Sequence, residues 1–442
     1  MNAQFNPVVV SSWGRTSRNT YPLGRPRYRD EIQPLLRSRT DRSVLAIGLG
    51  RSYGDSGLNN CGCLVDMTAL DRVIAFDPET GILRAESGLS LDAALRLIVP
   101  YGWFFATTPG SRFVTLGGAI ANDVHGKNHH SAGTFGCSVR RMGLLRSDGS
   151  ELELSRDSNG DLFAATIAGL GLTGIITWAE IVLVRIPSAF LQVERIPFGN
   201  IAQFFVLAAE SVGSYEHTVA WIDCASTGGS LGRGIFTRGN WLGHTGLKEP
   251  MTAMKSMPVE LPSWALNKFS VRAFNAFYLK MQQLGPPSRR EHYRTFFYPL
   301  DAIANWNRMY GRRGFYQYQC VVPFNTAERA IDQMITQISR VGAGSFLAVL
   351  KTLGERTSPG LLSFPCSGAT LALDFPNRGA ATLELLARLD SVVSEAGGRL
   401  YPAKDGRMPG PMFKEGYASA FSSFVAQIDP AFSSDFWRRV AT

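Results

Sequence analysis

The chain has 442 residues, of which 45% are hydrophobic and 18% are charged, and its formal net charge is +9. This length and apolar content exclude a single small module and a disordered protein, and at roughly 150 residues per domain they predict two or three domains. The basic residues are scattered, and no zinc-finger, basic-zipper or RNP pattern accompanies them, so the charge favours a phosphorylated ligand or an anionic membrane surface over nucleic acid.

The first hundred residues predict short, alternating helices and strands. Strands are predicted over 43–47, 64–66, 73–77 and 82–86. A polar helix is predicted over 29–39, and a second helix over 90–99 has Ser90 as its N-cap. Residues 103–135 lack periodicity but are dense in Gly, His, Thr and Asn, which predicts a long functional loop.

The second half of the chain changes character after Pro187. Strands are predicted before it over 140–145, 151–155 and 175–186, and after it over 219–223, 315–322, 346–353 and 370–375. Helices are predicted over 326–341 and 380–396, the latter capped by the glycines at 397–398. The pattern predicts an α+β protein in which the aromatic-rich block 190–398 forms a sheet covered by helices, followed by a polar return from 399.

The first segment that could carry chemistry is 46–56, directly after a predicted strand. Its glycines at 48, 50 and 54 are one residue too widely spaced for the dinucleotide fingerprint, and no amphipathic helix follows, so it is not a Rossmann turn. Glycine with serine and arginine still forms a nest of backbone N–H groups that suits a diphosphate, and Arg51 adds charge. An ordinary tight turn is equally consistent with the spacing.

The second such segment is 108–130, which contains three of the six histidines. Small residues over 117–121 allow a flat ring or a phosphate to lie against the backbone. The histidines at 125, 129 and 130 lack a matched carboxylate, so no metal site is predicted. Solvated or capping histidines in a polar loop are the alternative to a ligand site.

Cysteine usage and hydropathy indicate the compartment. The six cysteines show no CxxC pair, which predicts reduced thiols in the cytosol. The apolar run 8–10 is too short for a signal peptide, and the apolar stretch 169–186 is interrupted by Glu180 and several glycines. We expect a cytoplasmic protein that contacts the inner face of the membrane peripherally.

A series of motifs identifies a family. In order along the chain they are GLGRSYGD, TPGSR, TLGGAIANDVHGKNHHSAGTFG, GLTGII, WNRMYG, YQYQ and YPAKDGR. They closely resemble segments of the decaprenylphosphoryl-ribose oxidases, which belong to the vanillyl-alcohol-oxidase-type flavoproteins. The resemblance extends from residue 13 into the C-terminal tail. It implies a two-part FAD-binding domain of the PCMH type over 1–188, a substrate-binding domain over 189–398 and a return to the first domain over 399–442.

The resemblance also implies the site residues, with FAD bound noncovalently. The implied FAD contacts are Ala46, Ile47, Gly48, Leu49, Gly50, Arg51, Ser52, Tyr53, Gly54, Asp55, Ser56, Gly110, Thr115, Leu116, Gly117, Gly118, Asn122, Asp123, Val124, His125, Ile176 and Tyr401. The implied substrate contacts are Lys127, Tyr310, Gln317, Gln319, Lys351 and Lys404, with Trp221 as a further wall. Catalytic roles fall to His125, Lys404 and Tyr53, because hydride transfer needs a route for the hydroxyl proton and a positive charge near flavin N1.

The family reaction oxidises the 2′-hydroxyl of a polyprenyl-phosphoryl ribose to the ketone by hydride transfer to flavin N5. An NAD(P)H-dependent short-chain reductase then completes the epimerisation to arabinose, for the arabinan of the cell wall. The resemblance implies this activity and this partner here.

Two positions depart from the family. Ala372 stands where the family has a pocket cysteine, so thiol chemistry is excluded there, and Thr370 stands where the family has asparagine. The sugar and the lipid tail are therefore left open. The alternative functions are an FAD-dependent oxidase of a soluble sugar or aldonolactone, and a nucleotide-binding protein that has lost turnover.

Overall fold

The computed structural model describes residues 4–243, 246–247, 255–262 and 264–441. Within these ranges the chain forms three main sheets with helices packed on them. The α+β class predicted from the sequence is confirmed.

A four-stranded sheet comes first in the chain. Its strands are β1 (Asn6–Ser11), β2 (Arg18–Gly24), β3 (Ser43–Ile47) and β4 (Gly62–Asp66), in the order β1-β2-β4-β3. β1 is antiparallel to β2, whereas β2 and β3 both run parallel to β4. Helix α1 (Ile32–Arg37) buries its apolar face in one cluster with Val44 and Val65 of this sheet.

A six-stranded antiparallel sheet follows. Its strands are β5 (Val73–Asp77), β6 (Ile82–Glu86), β7 (Trp103–Phe105), β8 (Val139–Leu145), β9 (Glu151–Ser155) and β10 (Ile175–Arg185). The order is β5-β6-β10-β8-β9, and β7 pairs with the far end of β10. The helices of this region are α2 (Leu91–Ile98), α3 (Leu116–Ala121), α4 (His129–Ala132) and α5 (Gly160–Thr166). As predicted, Ser90 caps α2 by accepting a hydrogen bond from the backbone of Ala93.

The prediction of one loop over 103–135 is wrong, because β7, α3 and α4 lie within it. Each of these elements is shorter than two helical turns or is a three-residue strand, so none produces a periodic pattern. Long-range contacts stabilise them instead: Phe105 of β7 pairs with Leu183 of β10, and Thr115 caps α3 by accepting from Gly118.

The third sheet has eight antiparallel strands. They are β11 (Phe190–Phe198), β12 (His217–Ile222), β13 (Gly234–Trp241), β15 (Ser288–His292), β17 (Phe315–Pro323), β18 (Ala348–Leu353), β19 (Gly368–Pro376) and β20 (Arg399–Leu400). Their order is β15-β11-β13-β12-β18-β19-β17-β20. Strands β14 (Lys255–Ser256) and β16 (Ile303–Ala304) form a separate parallel pair.

Helices cover the eight-stranded sheet. They are α6 (Ile201–Ser211), α7 (Lys268–Leu284), α8 (Tyr293–Phe297), α9 (Phe324–Arg340) and α10 (Ala380–Glu395). The apolar sides of α9 and α10 pack with the inward residues of β17 and β19 in the largest apolar cluster of the described chain. The predicted antiparallel sheet with helical cover is confirmed.

The last part of the chain joins the first and third sheets. It contains α11 (Gly410–Gly416), α12 (Ala418–Val425) and α13 (Asp435–Ala441). β20 extends the eight-stranded sheet beside β17, and the backbone N–H of Val44 in β3 donates to the carbonyl of Ala431 over 2.8 Å. Asp429 accepts hydrogen bonds from Ser147, which follows β8. Among the described residues, no helix combines the length and the apolar character that a membrane crossing requires.

Candidate active site

A cavity of about 470 Å³ lies between the three sheets. Its lining comes from β1 and β3 of the first sheet, from Ile176 of β10, and from β17, β18 and β19 of the third. Backbone and glycine form one wall of the cavity, and polar side chains form another.

The first wall consists of residues 46–58 without Asp55 and is here called the glycine wall. It depends on glycine at three positions. A Cβ on Gly48 would lie 2.3 Å from Thr115 Oγ1, and a Cβ on Gly54 would lie 1.7 Å from the Asp405 carbonyl oxygen. Gly50 has a φ of +61°, a conformation that other residues adopt at a cost. A Cβ on Gly50 meets no atom within 4 Å, and the same holds for Gly110, so both leave open space beside the backbone.

Arg51 is the cation of the glycine wall. Its guanidinium lies over the Trp13 ring, 4.2 Å from the ring centroid, and donates to the Leu49 carbonyl over 2.7 Å. Burial lowers the pKa of Arg51, while nearby Asp301 opposes that shift. Arg51 therefore remains a charged group fixed at the cavity surface.

Helix α3 and its flanking residues continue this wall. The implied FAD contacts Gly110, Thr115, Gly117, Gly118, Asn122, Val124, His125, Ile176 and Tyr401 all line the cavity. The Tyr401 hydroxyl donates to the Asn122 carbonyl over 2.8 Å, and Asn122 in turn donates to the Gly118 carbonyl. Tyr401, which is 5% exposed, thus fastens the C-terminal return to the end of α3.

Three of the implied FAD contacts do not line the cavity. Leu116 is fully buried in the apolar core. The Asp123 carboxylate accepts hydrogen bonds from two serine hydroxyls, at 358 and 363, and from the Gly136 backbone. Asp55 pairs with Arg439 over 2.7 Å, and the same guanidinium reaches Asp405 over 3.0 Å. The carboxylates of Asp55 and Asp123 face neighbouring segments because their ion-pair and hydrogen-bond partners lie there.

The second wall is here called the polar wall, and its polar side chains are His125, Gln317, Gln319, Lys351, Thr370 and Lys404. His125 Nδ1 lies 3.2 Å from Lys351 Nζ, and its Nε2 lies 2.9 Å from the side-chain amide nitrogen of Gln319. Gln319 also contacts the Thr370 hydroxyl over 3.2 Å. Burial and the neighbouring Lys351 charge lower the pKa of His125 well below its usual value, so the imidazole is neutral at pH 7.

Two buried ammonium groups lie beside His125. Burial lowers the pKa of Lys351 to about 7, and the charge of Lys404 adds to that shift. Burial lowers the pKa of Lys404 to about 8, against the opposing effect of Asp374. Lys404 Nζ lies over the Tyr53 ring, 3.9 Å from its centroid, and the Tyr53 ring meets Phe315 edge-on. Both lysines can therefore exchange protons near neutral pH.

Asp374 is a buried acidic group behind this wall that the motifs did not indicate, and it does not itself line the cavity. Its carboxylate accepts from Gln317 Nε2 over 2.7 Å and from the Tyr310 hydroxyl over 3.3 Å, and burial raises its pKa to about 7. On β19 it follows Thr370 and Ala372 at intervals of two, and side chains at that spacing share one face of a strand. This spacing is the sequence pattern from which Asp374 could have been predicted.

Lys127, Tyr310 and Trp221 do not line the cavity. The Lys127 ammonium donates to the carbonyls of Phe296 and Phe297, and burial lowers its pKa to about 7. Tyr310 is buried and stacks on Phe315. Trp221 donates its indole N–H to the carbonyl of Phe346 over 3.0 Å. Tyr310 reaches the polar wall only through Asp374.

The segment 300–306 forms a further side of the cavity that the sequence did not indicate. Asp301 accepts hydrogen bonds from the Ser111 hydroxyl and the Arg112 backbone, both over 2.8 Å. Trp306 packs against Trp13 with ring centroids 5.9 Å apart. Trp306 opens the WNRMYG motif, but its partner Trp13 is almost 300 residues away, so the sequence did not indicate their contact.

The histidines after His125 lie in α4 and contact other segments of the chain. His129 Nδ1 accepts from the Gly354 backbone over 3.2 Å, and His130 Nε2 lies 3.1 Å from the Tyr215 carbonyl. In the part of the chain that the structure describes, no three His, Cys, Asp or Glu side chains are placed to hold a metal ion.

The cavity fits FAD in shape and donor chemistry. The glycine wall lets a diphosphate approach the backbone and supplies the Arg51 charge, while the open space at Gly50 and Gly110 leaves room beside the chain. The polar wall supplies exchangeable protons and positive charge at the far side. An arrangement of this kind can bind a redox cofactor along one wall and an alcohol between the two.

Comparison with known proteins identifies the family of this chain. Residues 24–155 match the family described as FAD binding domain. The chain is 36% identical over 414 residues to the decaprenylphosphoryl-β-D-ribose oxidase of Mycolicibacterium smegmatis, an alignment that covers 90% of this chain and 89% of that protein.

Two other relatives are more distant. An uncharacterised protein of Streptomyces coelicolor is 27% identical over 80% of this chain and 100% of its own length. The L-gulonolactone oxidase of Mus musculus is 29% identical over 33% of this chain and 32% of its own. The family resemblance and the FAD cofactor that the motifs predicted are confirmed. The chain belongs to the decaprenylphosphoryl-β-D-ribose oxidase family of FAD-dependent oxidoreductases.

Proposed function

We propose that this protein oxidises the 2′-hydroxyl of a polyprenyl-phosphoryl ribose to the keto sugar, as the oxidative half of a ribose-to-arabinose epimerisation. The observation that carries the proposal is the pairing of the glycine wall with a wall of buried, titratable side chains in one cavity. The name of the Mycolicibacterium smegmatis relative supplies the substrate class.

When bound, FAD supplies the acceptor for the hydride that leaves the carbon of the alcohol. The hydroxyl proton must leave as well, and Lys351, which is partly unprotonated near neutral pH because its pKa is about 7, can receive that proton beside the neutral His125. The ammonium of Lys404 stabilises negative charge that develops close to it, and the Tyr53 ring keeps it in place. His125, Lys404 and Tyr53 thus retain the catalytic roles that the resemblance implies.

The sugar is recognised by neutral polar groups in this proposal. Gln317 and Gln319 on β17 and Thr370 on β19 line the cavity, and amides can both donate to and accept from sugar hydroxyls. The methyl group of Ala372 offers no thiol at this surface and leaves more room than a cysteine would.

We further propose that FAD is held without a covalent bond. Both ring nitrogens of His125 already lie within hydrogen-bond distance of Lys351 and Gln319. A covalent link through either nitrogen would remove one of these contacts. Release of all flavin into the supernatant after acid precipitation is the expected result, and flavin in the pellet would contradict it.

The proposed domain division is 1–188 for FAD, 189–398 for substrate and 399–442 for the return. It is supported by the first two sheets ending with Arg185 and the third beginning with Phe190. The proposed partner is an NAD(P)H-dependent short-chain reductase that takes up the keto sugar. The proposed location is the inner face of the membrane, where a polyprenyl tail resides.

Rapid mixing with substrate tests the function. Under anaerobic conditions, a polyprenyl-phosphoryl ribose should bleach the flavin absorbance, and Lys404→Met should slow the bleaching by about 10²-fold because it removes the stabilising charge. Lys255→Met, at an exposed lysine that does not line the cavity, is the matched control.

Two results would count against these assignments. An unchanged bleaching rate in Lys404→Met would remove the proposed role of that residue. Bleaching by a soluble sugar or an aldonolactone, with none by the lipid-linked ribose, would transfer the function to the alternative oxidase.

A further inference from the structure

Helix α7 exposes a row of large apolar side chains on one of its faces. Phe269, Phe277 and Leu284 are 70%, 65% and 73% exposed, and Met281 is 51% exposed. At 3.6 residues per turn these four side chains lie on one face of the helix. The opposite face carries the buried Val271, Asn275 and Leu279.

Polar contacts attach α7 to the rest of the protein. The buried Asn275 side chain donates to Asp223 over 2.9 Å and to the Ser345 carbonyl over 3.2 Å. Arg272 donates to the Ala225 carbonyl over 3.0 Å. The helix is therefore fixed to the protein through its inner face, and its apolar outer face takes no part in that attachment.

The sequence of α7 and its flanking residues carries charge of one sign. In the sequence there is no Asp or Glu between Glu260 and Glu291, whereas this stretch contains Lys268, Arg272, Lys280, Arg289 and Arg290. Lys268 and Lys280 are exposed, and Lys280 follows Phe277 by three positions on the outer face. A helix with exposed aromatic and aliphatic side chains, flanking lysines and no acidic residue is complementary to an anionic lipid surface.

The apolar face continues towards the cavity. Phe274 of α7 packs against Phe346 with ring centroids 5.7 Å apart, and Phe346 stacks on Tyr310. Leu266, which precedes the helix, packs against the cluster that contains Trp306, and Trp306 lines the cavity. The start of α7 is therefore connected to the cavity wall through Leu266 and Trp306.

We propose that α7 docks the protein on an anionic phospholipid bilayer. Phe269, Phe277 and Leu284 enter the boundary between headgroups and acyl chains, and Lys268 and Lys280 contact lipid phosphates. This inference deepens the proposed function and rests on it for its purpose, because a polyprenyl-tailed substrate is held in the bilayer next to the cavity. The uniform positive charge favours lipid over a second copy of the chain, since two copies of this face would bring like charges together.

Vesicle binding of the FAD-loaded protein tests the proposal. Vesicles of phosphatidylcholine with phosphatidylglycerol should co-sediment the protein, and vesicles of phosphatidylcholine alone should do so weakly. Changing Phe269, Phe277 and Leu284 together to serine should abolish binding. The matched control is Val206→Ser with Val212→Ser, two apolar residues that are 56% and 62% exposed at α6.

A second variant tests the proposal independently, in case the first variant misfolds. Lys268→Gln with Lys280→Gln leaves the apolar face intact and should weaken binding to anionic vesicles roughly tenfold or more at low ionic strength. Failure of the unmodified protein to bind anionic vesicles would overturn the proposal, as would equal binding by the serine variant. Dimerisation that the serine variant abolishes, without vesicle binding, would assign the face to a second copy and also overturn it.

The assays separate this inference from the proposed function. Flavin bleaching by a short-tailed, water-soluble prenyl-phosphoryl ribose reports on the reaction and needs no vesicles. Bleaching without vesicle binding would remove the docking surface alone, whereas vesicle binding without bleaching would remove the reaction alone.

Discussion

The glycine wall and the polar wall of the cavity differ in what holds them in place. Gly48 and Gly54 are in such close contact with Thr115 and Asp405 that an added Cβ has no room. The polar wall instead holds His125 together with the ammonium groups of Lys351 and Lys404. Burial lowers the pKa of Lys404, and the charge of Asp374 opposes that change. One wall is therefore sensitive to shape and the other to charge.

This difference matches two tasks. A cofactor that stays bound needs a surface of fixed shape, and backbone N–H groups provide it without titrating. A reaction that moves a proton needs groups with a pKa near the working pH, and burial of lysine next to lysine provides those. Variants on each wall should therefore fail in different ways.

The largest effect is expected from Gly54→Ala. Its Cβ would lie 1.7 Å from the Asp405 carbonyl oxygen and 2.3 Å from the carbonyl carbon, so two backbone segments must separate. We expect loss of bound flavin and destabilisation by about 3 kcal/mol or more. Flavin absorbance per protein and the melting temperature measure both.

Gly57→Ala is the matched control on the same wall. Its Cβ would have Ser52 Cβ at 3.9 Å as its near neighbour, which is ordinary contact. This variant should keep its flavin and its melting temperature. If Gly54→Ala behaves like the control, the glycine wall is less rigid than its contacts indicate.

A smaller effect of opposite sign is expected from Lys351→Met in the flavin-free protein. The pKa of Lys351 is lowered from 10.5 to about 7, so between those values the unfolded chain binds more protons and stability rises with pH. Removing the ammonium should stabilise the fold by about 2 kcal/mol at pH 6.5. The gain should shrink by up to about 1.4 kcal/mol per pH unit above pH 7.

Urea unfolding at pH 6.5 and at pH 9 measures this gain. Lys255→Met, at an exposed lysine, should show no gain at either pH. A Lys351→Met gain that is equal at both pH values would show that the ammonium charge is not what costs stability in the polar wall.

The smallest effect is expected from Thr370→Val. The hydroxyl lies 3.2 Å from Gln319 Nε2, and its loss removes one hydrogen bond from the group that contacts His125. We expect kcat/KM to fall roughly threefold to tenfold with flavin content unchanged. Thr370→Ser should restore the rate, and a Ser variant as slow as Val would assign the effect to packing.

Elements with a complete local signal were predicted well. The bounds of β3, β5, β6 and β9 agree with the predicted strands, because each is a short run bounded by turn residues. Ser90 was found as a cap because its pattern is local. By contrast β7 depends on pairing with β10, some 80 residues later, and no window of sequence contains both.

The residues of the candidate site fall into the same two groups, those predicted from local segments and those that were not. Motifs predicted the glycine wall and the cavity residues His125, Gln317, Gln319 and Lys404, because each lies in a quoted segment, whereas Lys351 was implied by the family resemblance alone. Trp13 and residues 300–306 were not predicted as site residues, since they meet only in the folded chain. The resemblance implied Lys127 as a substrate contact, but its ammonium donates to the carbonyls of Phe296 and Phe297.

The bridge from Arg439 to Asp55 and Asp405 has a consequence for biosynthesis. Gly54 packs against Asp405, and the Arg439 guanidinium holds Asp55 and Asp405 together over 2.7 and 3.0 Å. The glycine wall therefore cannot reach its final shape during synthesis until helix α13 has been made, nearly 400 residues after Asp55. We expect nascent chains that lack α13 to capture no FAD, so that loading of the cofactor reports that synthesis has passed this helix.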